Sequence, residues 1–260
     1  MQQAQYSRAQ YESDCAETLR NRERLERHPN LLFWYEQLYR HQLGDASELK
    51  GKVILEIGSG SSPLQRLVPT IVTSDIMELP HLDHVFDCHR IDQVSALADR
   101  SIDVITLTNV LHHLKEPVQF LTNAAVKLKQ GGRIIATEPY FSALSRFIYK
   151  YIHHEPVDEK ITRPELETVA GPLASANIIL PHLLFLGERN WAEPLRALYH
   201  FSRGDIRYFS GLSYMMTGGI SRRLPIPPPV YRFLFAADAW VTQLCPTLVA
   251  SFFTITLTRK

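Results

Sequence analysis

Short apolar runs punctuate the middle of the chain, and each ends at a glycine, an acid or a small polar residue. Lys52–Ile57 (KVILEI) runs into Gly58-Ser59-Gly60, and Thr70–Ser74 runs into Asp75. A weaker run, His84–Phe86, stops at Asp87, while Asp103–Thr108 (DVITLT) leads into Asn109-Val-Leu-His-His-Leu. Between these runs the pattern changes to helical spacing. Ser62-Pro63 fits an N-cap and first helical position for a short helix over Leu64–Val68. Leu97–Arg100 reads as a helical turn. Pro117–Lys129 reads as an amphipathic helix stopped by Gly131-Gly132, with a strand over Arg133–Thr137 before Glu138-Pro139. Strands alternating with helices at this spacing predict βαβ units and a parallel sheet covered on both faces.

The flanks read differently. Leu19, Leu25, Leu31, Leu32, Trp34, Tyr35 and Leu38 recur at interrupted helical spacing among charges from Tyr6 to about His41, and Pro29 divides this stretch into two helices. After the alternating region, Pro164–Ala176 is expected as helix and Ile178–Leu186 as strand. Glu188–Leu244 then breaks the alternation, with seven arginines against four acids and with interleaved aromatics such as Trp191, Tyr199, Tyr208 and Tyr214. The tract Pro225–Pro229 opens a helix over Val230–Leu244, and the β-branched Ser251–Thr258 should be the final strand. Three parts follow: a helical segment at 1–50, a core at 51–187 with 245–260, and a helical insertion at 188–244. The expected fold class is α/β, a doubly wound Rossmann-like sheet.

Composition narrows the function. The 260 residues are 45% apolar and carry 28 Lys and Arg against 27 Asp and Glu, a net charge of +1. A nucleic-acid coat needs a basic excess to neutralise phosphates, so no nucleic-acid partner is expected. Cys15, Cys88 and Cys245 lie far apart with no CxxC, which disfavours a disulfide scaffold or cysteine zinc site and fits a reducing compartment. The N-terminal stretch lacks the apolar core of a secretory signal. Two uncharged runs reach spanning length, Thr168–Gly187 and Ala239–Thr258, but prolines and threonines interrupt them, so both are read as soluble helix-then-strand segments. A cytoplasmic location is expected.

The first strand-to-helix turn carries the chemistry. An open parallel sheet binds its ligand beyond the carboxyl ends of its strands. Gly58 and Gly60 sit there, let backbone approach a ligand closely, and precede a helix start that favours an anion. In the dinucleotide fingerprint GxGxxG the third glycine would fall at Pro63, which cannot serve close helix–strand packing, so NAD is disfavoured. No Gly-Lys-[Ser/Thr] loop is present either. The remaining fit is a shorter ligand with a carboxylate and a single ribose. Asp75, at the end of the second strand, is placed to accept from ribose hydroxyls, and Asp87 from an adenine amino group.

Glu56-Ile-Gly-Ser-Gly, Thr73-Ser-Asp75, Asp87-Cys-His, the Asp103–Leu114 run and Leu128-Lys-Gln-Gly-Gly-Arg-Ile-Ile come in an order that resembles the class I S-adenosylmethionine-dependent methyltransferases of methyltransferase type 11. The resemblance covers roughly residues 51–140. It implies a seven-stranded sheet with the last strand antiparallel, S-adenosyl-L-methionine as cofactor and S-adenosyl-L-homocysteine as product. It also implies that the Gly58–Gly60 turn meets the methionine portion, Asp75 the ribose and Asp87 the adenine end. The cofactor-binding set expected here is Glu56, Gly58, Ser59, Gly60, Asp75, Asp87, Cys88 and Asn109. Two departures stand out: a short helix after Gly60, and the long 188–244 stretch where the family ordinarily has a tight closing hairpin.

Methyl transfer asks the protein to align a nucleophile and, for a hydroxyl acceptor, to remove a proton. His112 and His113 are the best-placed bases, since imidazole titrates near ~6.5, and Glu138 ends the fifth strand on the cleft side. Any of the three could instead be an ordinary helix-face or turn residue. His153-His154-Glu155 could close over the cleft, and no metal is expected there, because adjacent loop histidines point apart. The expected acceptor is a small-molecule or lipid- or glycan-type metabolite, methylated at oxygen. Transfer to carbon or nitrogen, or a non-catalytic S-adenosylmethionine-binding partner, are the alternatives. The 188–244 segment could be a cap on the sheet, a substrate lid, or a membrane-surface contact, since Arg-flanked aromatic helices lie in interfaces.

Overall fold

Parallel pairing of the apolar runs sets all their carboxyl ends along one edge, and that edge organises everything else. The computed structural model describes residues 7–151 and 155–260. Two long helices come first, α1 (Arg8–Glu26) and α2 (Pro29–Leu43), then a short α3 (Ala46–Leu49). The strands β1 (Ile54–Ile57), β2 (Val72–Asp75), β3 (His84–Val85) and β4 (Ile102–Thr108) follow, with α4 (Pro117–Lys127), β5 (Leu128–Pro139) and α5 (Ala143–Tyr151). The remainder holds α6 (Leu180–Phe185), β6 (Tyr199–His200), β7 (Arg207–Phe209), α7 (Ser213–Thr217), α8 (Pro228–Leu244), α9 (Pro246–Val249) and β8 (Phe252–Arg259).

The sheet order is β3-β2-β1-β4-β5-β8-β6, with β7 also on β8. β1 to β5 are parallel, and β8 runs antiparallel to β5 with Thr137 opposite Thr254. The strands number eight rather than the expected seven. The outer place beside β8 is shared by two short pieces, β6 and β7, both contributed by the 188–244 segment.

Apolar side chains cover both faces. On one side Phe120, Leu121 and Ala124 of α4 pack on Leu55, Ile105, Leu107 and Phe253. On the other, Trp34 of α2 is fully buried against Tyr35, Phe209, Tyr214 and Phe252. Gln42 fastens α2 to the sheet: its side-chain amide donates to the carbonyls of Leu107 (2.7 Å) and Ile135 (3.2 Å).

Three expectations need correction. Ile178–Leu186 is not a strand. Pro181 stands in the first turn of α6, where its missing N–H costs nothing, and β6 and β7 take the sheet positions instead. Pro164–Ala176 forms turns rather than a helix. Ser175 Oγ accepts from the amides of Ala170 (2.6 Å) and Gly171 (3.2 Å), and Asp14 Oδ2 accepts from Leu173 (3.1 Å), so side chains satisfy donors that a helix would have used. Leu97–Arg100 is likewise a turn, closed by Arg100 at φ 53°. After Gly60 the helix shrinks to a single 3₁₀ turn, Leu64–Arg66, whose first amide donates to Ser62 Oγ (3.2 Å).

Candidate active site

A cavity of about 1140 Å³ opens at the carboxyl ends of β1, β2 and β4. Eight of the expected residues line it: Gly58, Gly60, Asp75, Asp87, Cys88, Asn109, His112 and His113. Gly58 has φ 77°, and a Cβ there would meet Val110 Cγ2 at 2.5 Å, so both conformation and space require glycine. At Gly60 a Cβ would press on Thr18 Cγ2 at 2.7 Å. The Gly60 amide donates to Asp75 Oδ2 (3.0 Å) and the Met77 amide to Oδ1 (3.0 Å). Each carboxylate oxygen keeps a second lone pair for a ligand. Burial raises the Asp75 carboxyl above its ordinary range, with the Met77 and Gly60 amides opposing.

Glu56 and Ser59 lie beneath this turn rather than in the cavity wall. Glu56 Oε1 accepts from Ser62 Oγ (2.5 Å), and Ser59 Oγ bonds the Glu56 carbonyl (3.3 Å) and accepts from the Ser74 amide (3.1 Å). They stiffen the loop from behind. Burial pushes the Glu56 carboxyl up to about 7 against the Ser62 and Ser59 hydrogen bonds.

At the far end Asp87 Oδ1 accepts from the His89 amide (3.0 Å) and lies 2.7 Å from His89 Nδ1. Burial opposes ionisation of Asp87, but these His89 contacts and Arg90 outweigh it and hold the carboxyl below its usual value. Cys88 is buried, and its thiol is pushed well up. Asn109 sits at φ 56° with its amide on the Thr137 carbonyl (2.9 Å). Its side-chain Oδ1 is buried without a protein partner, in a residue that lines the cavity. A buried orphan acceptor there is the kind of group a polar ligand satisfies.

The histidine pair follows on a 3₁₀ turn, Leu111–His113. His112 Nδ1 lies 2.6 Å from Glu138 Oε2, and its Nε2 lies 3.4 Å from Glu155 Oε2. Glu138 is fully buried behind His112, where Oε1 accepts from the amides of Val110 (2.9 Å) and Leu111 (2.7 Å). The expectation that Glu138 faces the cleft is therefore corrected. A carboxylate saturated by two amides and an imidazole positions the histidine instead of meeting a ligand. Burial alone would lower the His112 pKa, but Glu138 and then Glu155 outweigh it and lift it to about 9. His113 turns Nδ1 to the Ser175 carbonyl (2.7 Å), and burial with the neighbouring His112 drives it down to about 4. Of the His153-His154-Glu155 triplet, Glu155 closes on His112, while His153 and His154 lie outside the described residues.

Other walls carried no motif. Thr18 and Asn21 of α1, Tyr35 of α2, Tyr149 of α5, and Tyr214 and Met215 of α7 complete the cavity. Asp14 of α1 ties the Gly171–Leu173 turn over the same opening. α1 is polar along its length, so nothing in its sequence marked it as a cavity wall.

A doubly wound sheet with an antiparallel last strand, a glycine turn on β1 and acids after β2 and β3 define a class I S-adenosylmethionine-dependent methyltransferase. A family model described as a methyltransferase domain matches residues 33–175, and the chain belongs to that family. Its cofactor is S-adenosyl-L-methionine, which the turn, the two acids and Asn109 fit. Among curated proteins it is similar to the ubiquinone biosynthesis O-methyltransferase of Coxiella burnetii, 28% identical over 120 residues, covering 40% of this chain and 49% of the relative. The chain spans about half the length of the curated relatives it matches. Among solved structures, an S-adenosylmethionine-dependent methyltransferase from Archaeoglobus fulgidus shares the fold at a TM-score of 0.51 and 16% identity, over 90% of this chain and 97% of that one. The N-methyltransferase NodS from Bradyrhizobium japonicum WM9, solved with S-adenosyl-L-homocysteine, aligns at a TM-score of 0.43 and 14% identity over 91% and 90% of the two chains.

Proposed function

We propose that this chain transfers a methyl group to a hydroxyl of a small, largely apolar metabolite, with His112 as the proton acceptor. The observation that carries the reading is the buried His112–Glu138 pair at 2.6 Å, which fixes Nδ1 of a histidine that lines the cavity; Nε2 lies 3.4 Å from Glu155, whose place an acceptor hydroxyl would take. The bound cofactor supplies an electrophilic methyl on a sulfonium, so the protein need only hold, align, dehydrate and deprotonate. Gly58, Gly60, Asp75 and Asn109 hold the amino-acid and ribose end, and Asp87 with Cys88 holds the adenine end. Ile148, Tyr149, Tyr214, Met215 and Phe252 form an aromatic and aliphatic wall that excludes water from the acceptor. An acceptor hydroxyl against His112 Nε2 gives up its proton there once the imidazole is neutral.

The oxygen preference is supported by the Coxiella relative, whose name is that of an O-methyltransferase. His113, fixed to the Ser175 carbonyl, shapes the wall beside His112. The 211–224 part of the 188–244 segment acts as a substrate lid, because Tyr214, Met215 and Ile220 face the cavity.

The test is a methyl-transfer screen over hydroxylated, carboxylated and amino metabolites with mass detection, preceded by calorimetry with S-adenosylmethionine and NAD in parallel. Methyl ethers as products, lost in His112→Gln, are expected. Methylation at carbon or nitrogen, or a rate indifferent to His112, overturns the reading. Binding without any turnover would mark a non-catalytic partner protein.

A further inference from the structure

The outer face of α8 is apolar along its whole length. Val230, Phe233, Trp240, Val241 and Leu244, joined through exposed Ala237 at three- and four-residue spacing, are 49%, 73%, 64%, 39% and 61% exposed. Scattered exposed apolar residues are ordinary, but a continuous stripe marks a contact surface. The opposite face holds the helix on the protein: Tyr231 and Thr242 are buried, and Phe235 packs edge-on against Phe33 at 5.4 Å. α9 packs on both α8 and α5, and brings exposed Leu248 toward Phe147 and Tyr151, which are also exposed.

Charge around the stripe is mainly basic. From Gly211 to Ala250 the chain holds three basic residues, Arg222, Arg223 and Arg232, and one acid, Asp238. That acid is turned inward, where it accepts from the amides of Gly211 (2.9 Å), Leu212 (2.8 Å) and Ser213 (3.1 Å). On the neighbouring α2, Glu36 is taken up by Arg40 (2.9 Å), and beyond α5, Glu159 is paired with Arg146. Arg222 and Arg223 stand exposed at the start of the stripe, Arg232 lies over Phe33 at 5.3 Å, and Lys150 over Tyr151 at 5.4 Å.

We infer that this face docks on an anionic lipid surface, with α8 lying in the plane of the headgroups. Aromatic and aliphatic side chains on one face flanked by arginines are what interfacial binding requires. No helix among the described residues is long and apolar enough to cross a membrane, so the helix lies on the bilayer rather than through it. A second copy of the chain is a poorer occupant, because pairing this face with itself would set arginines against arginines, while the described acids around it, Glu36, Glu159 and Asp238, are already taken up. Arg222 and Leu224 also line the cavity, so docking turns its mouth toward the lipid. The inference does not depend on which acceptor is methylated.

The test is co-flotation of the full chain with vesicles of phosphatidylcholine alone or mixed with phosphatidylglycerol, with Trp240 burial read from quenching by brominated lipid. Binding is expected to the phosphatidylglycerol vesicles and to weaken with salt. The double variant Phe233→Ser, Trp240→Ser should lose affinity on the order of a hundredfold, and Arg223→Glu about fivefold or more, with unchanged circular dichroism and thermal unfolding. No flotation of the wild type, or equal flotation of the double variant, overturns the inference. So does a concentration-dependent dimer that the double variant abolishes while vesicles stay unbound.

Discussion

His112 Nδ1 and Glu138 Oε2 stand 2.6 Å apart with side chains 3% and 0% exposed, beneath a cavity that only the histidine reaches. Glu138→Gln keeps the shape and the amide contacts to Val110 and Leu111. Its NH₂ then faces Nδ1 and drives the ring proton onto Nε2, the atom that should receive the acceptor's proton. Turnover should fall on the order of 10²–10⁴-fold, with S-adenosylmethionine affinity by calorimetry unchanged. Unchanged turnover removes the relay.

The same pair sets the pH dependence. With His112 lifted to about 9 by Glu138 and Glu155, the neutral imidazole accumulates only as pH rises toward 9. The rate at saturating substrates should climb through neutrality to an inflection near that value. Glu155→Gln removes one of the raising charges and should move the inflection to lower pH. A flat profile between pH 6 and 9 rules out His112 as base.

His112 and Glu56 should each contribute a loss of stability as pH rises, in two different windows. A histidine whose folded pKa is about 9 stabilises fully below its unfolded value of 6.5, and this is lost as pH rises through 9. Glu56, raised to about 7, disfavours its own ionisation and destabilises as pH climbs from 4.5 through 7. Thermal melts from pH 4.5 to 9.5 should show the upper decline, flattened in His112→Gln. His41, His113 and His182, each held down to about 4 by burial, gain stability as pH rises toward 6.5 and oppose the lower one, so the Glu56 contribution is read as the difference between wild type and Glu56→Gln.

Cofactor affinity should depend on the first two strand ends. Asp75→Ala should weaken S-adenosylmethionine binding by about tenfold to a hundredfold, the size of a charge-assisted hydrogen bond. Gly58→Ala should both abolish binding and lower the melting temperature, because a left-handed backbone costs an L-residue about 1–2 kcal/mol and the methyl would meet Val110. NAD should not bind the wild type; calorimetry decides both points.

Under the proposed function, Tyr214, which lines the cavity, lies on the acceptor side. Tyr214→Ala should raise the acceptor KM several-fold and leave the S-adenosylmethionine Kd unaltered. Equal effects on both would move the tyrosine to the cofactor's end.

The parallel half of the fold was legible because strand runs, glycine turns and acids recur in a fixed order, and local pattern dictates local structure there. Gly58, Asp75, Asp87, Asn109, His112 and His113 came to one edge for that reason. Glu56, Ser59 and Glu138 belong to the same strand ends but lie beneath the cavity wall. Whether a side chain faces the ligand or the layer beneath is settled by three-dimensional hydrogen bonding, such as the two amides that claim Glu138. The stretch 164–186, where turns and α6 stand in place of the expected helix and strand, is apolar, proline-broken and too short for periodicity to separate helix from strand. Asp14 and Ser175, which shape it, act from residues distant in the chain or through turns without a motif. The part of α1 in the cavity wall rests on where it packs, not on its composition.

The placement of β8 has a consequence for biosynthesis. Residues 252–259 fill the slot between β5 and the pieces 199–200 and 207–209, so those pieces have no partner until the ribosome has delivered a segment more than forty residues further on. The aromatic wall that carries Tyr214 then waits on the same event. Closure of this half waits on residues 252–259, and a nascent chain halted before residue 252 would present the bare edge of β5 to chaperones.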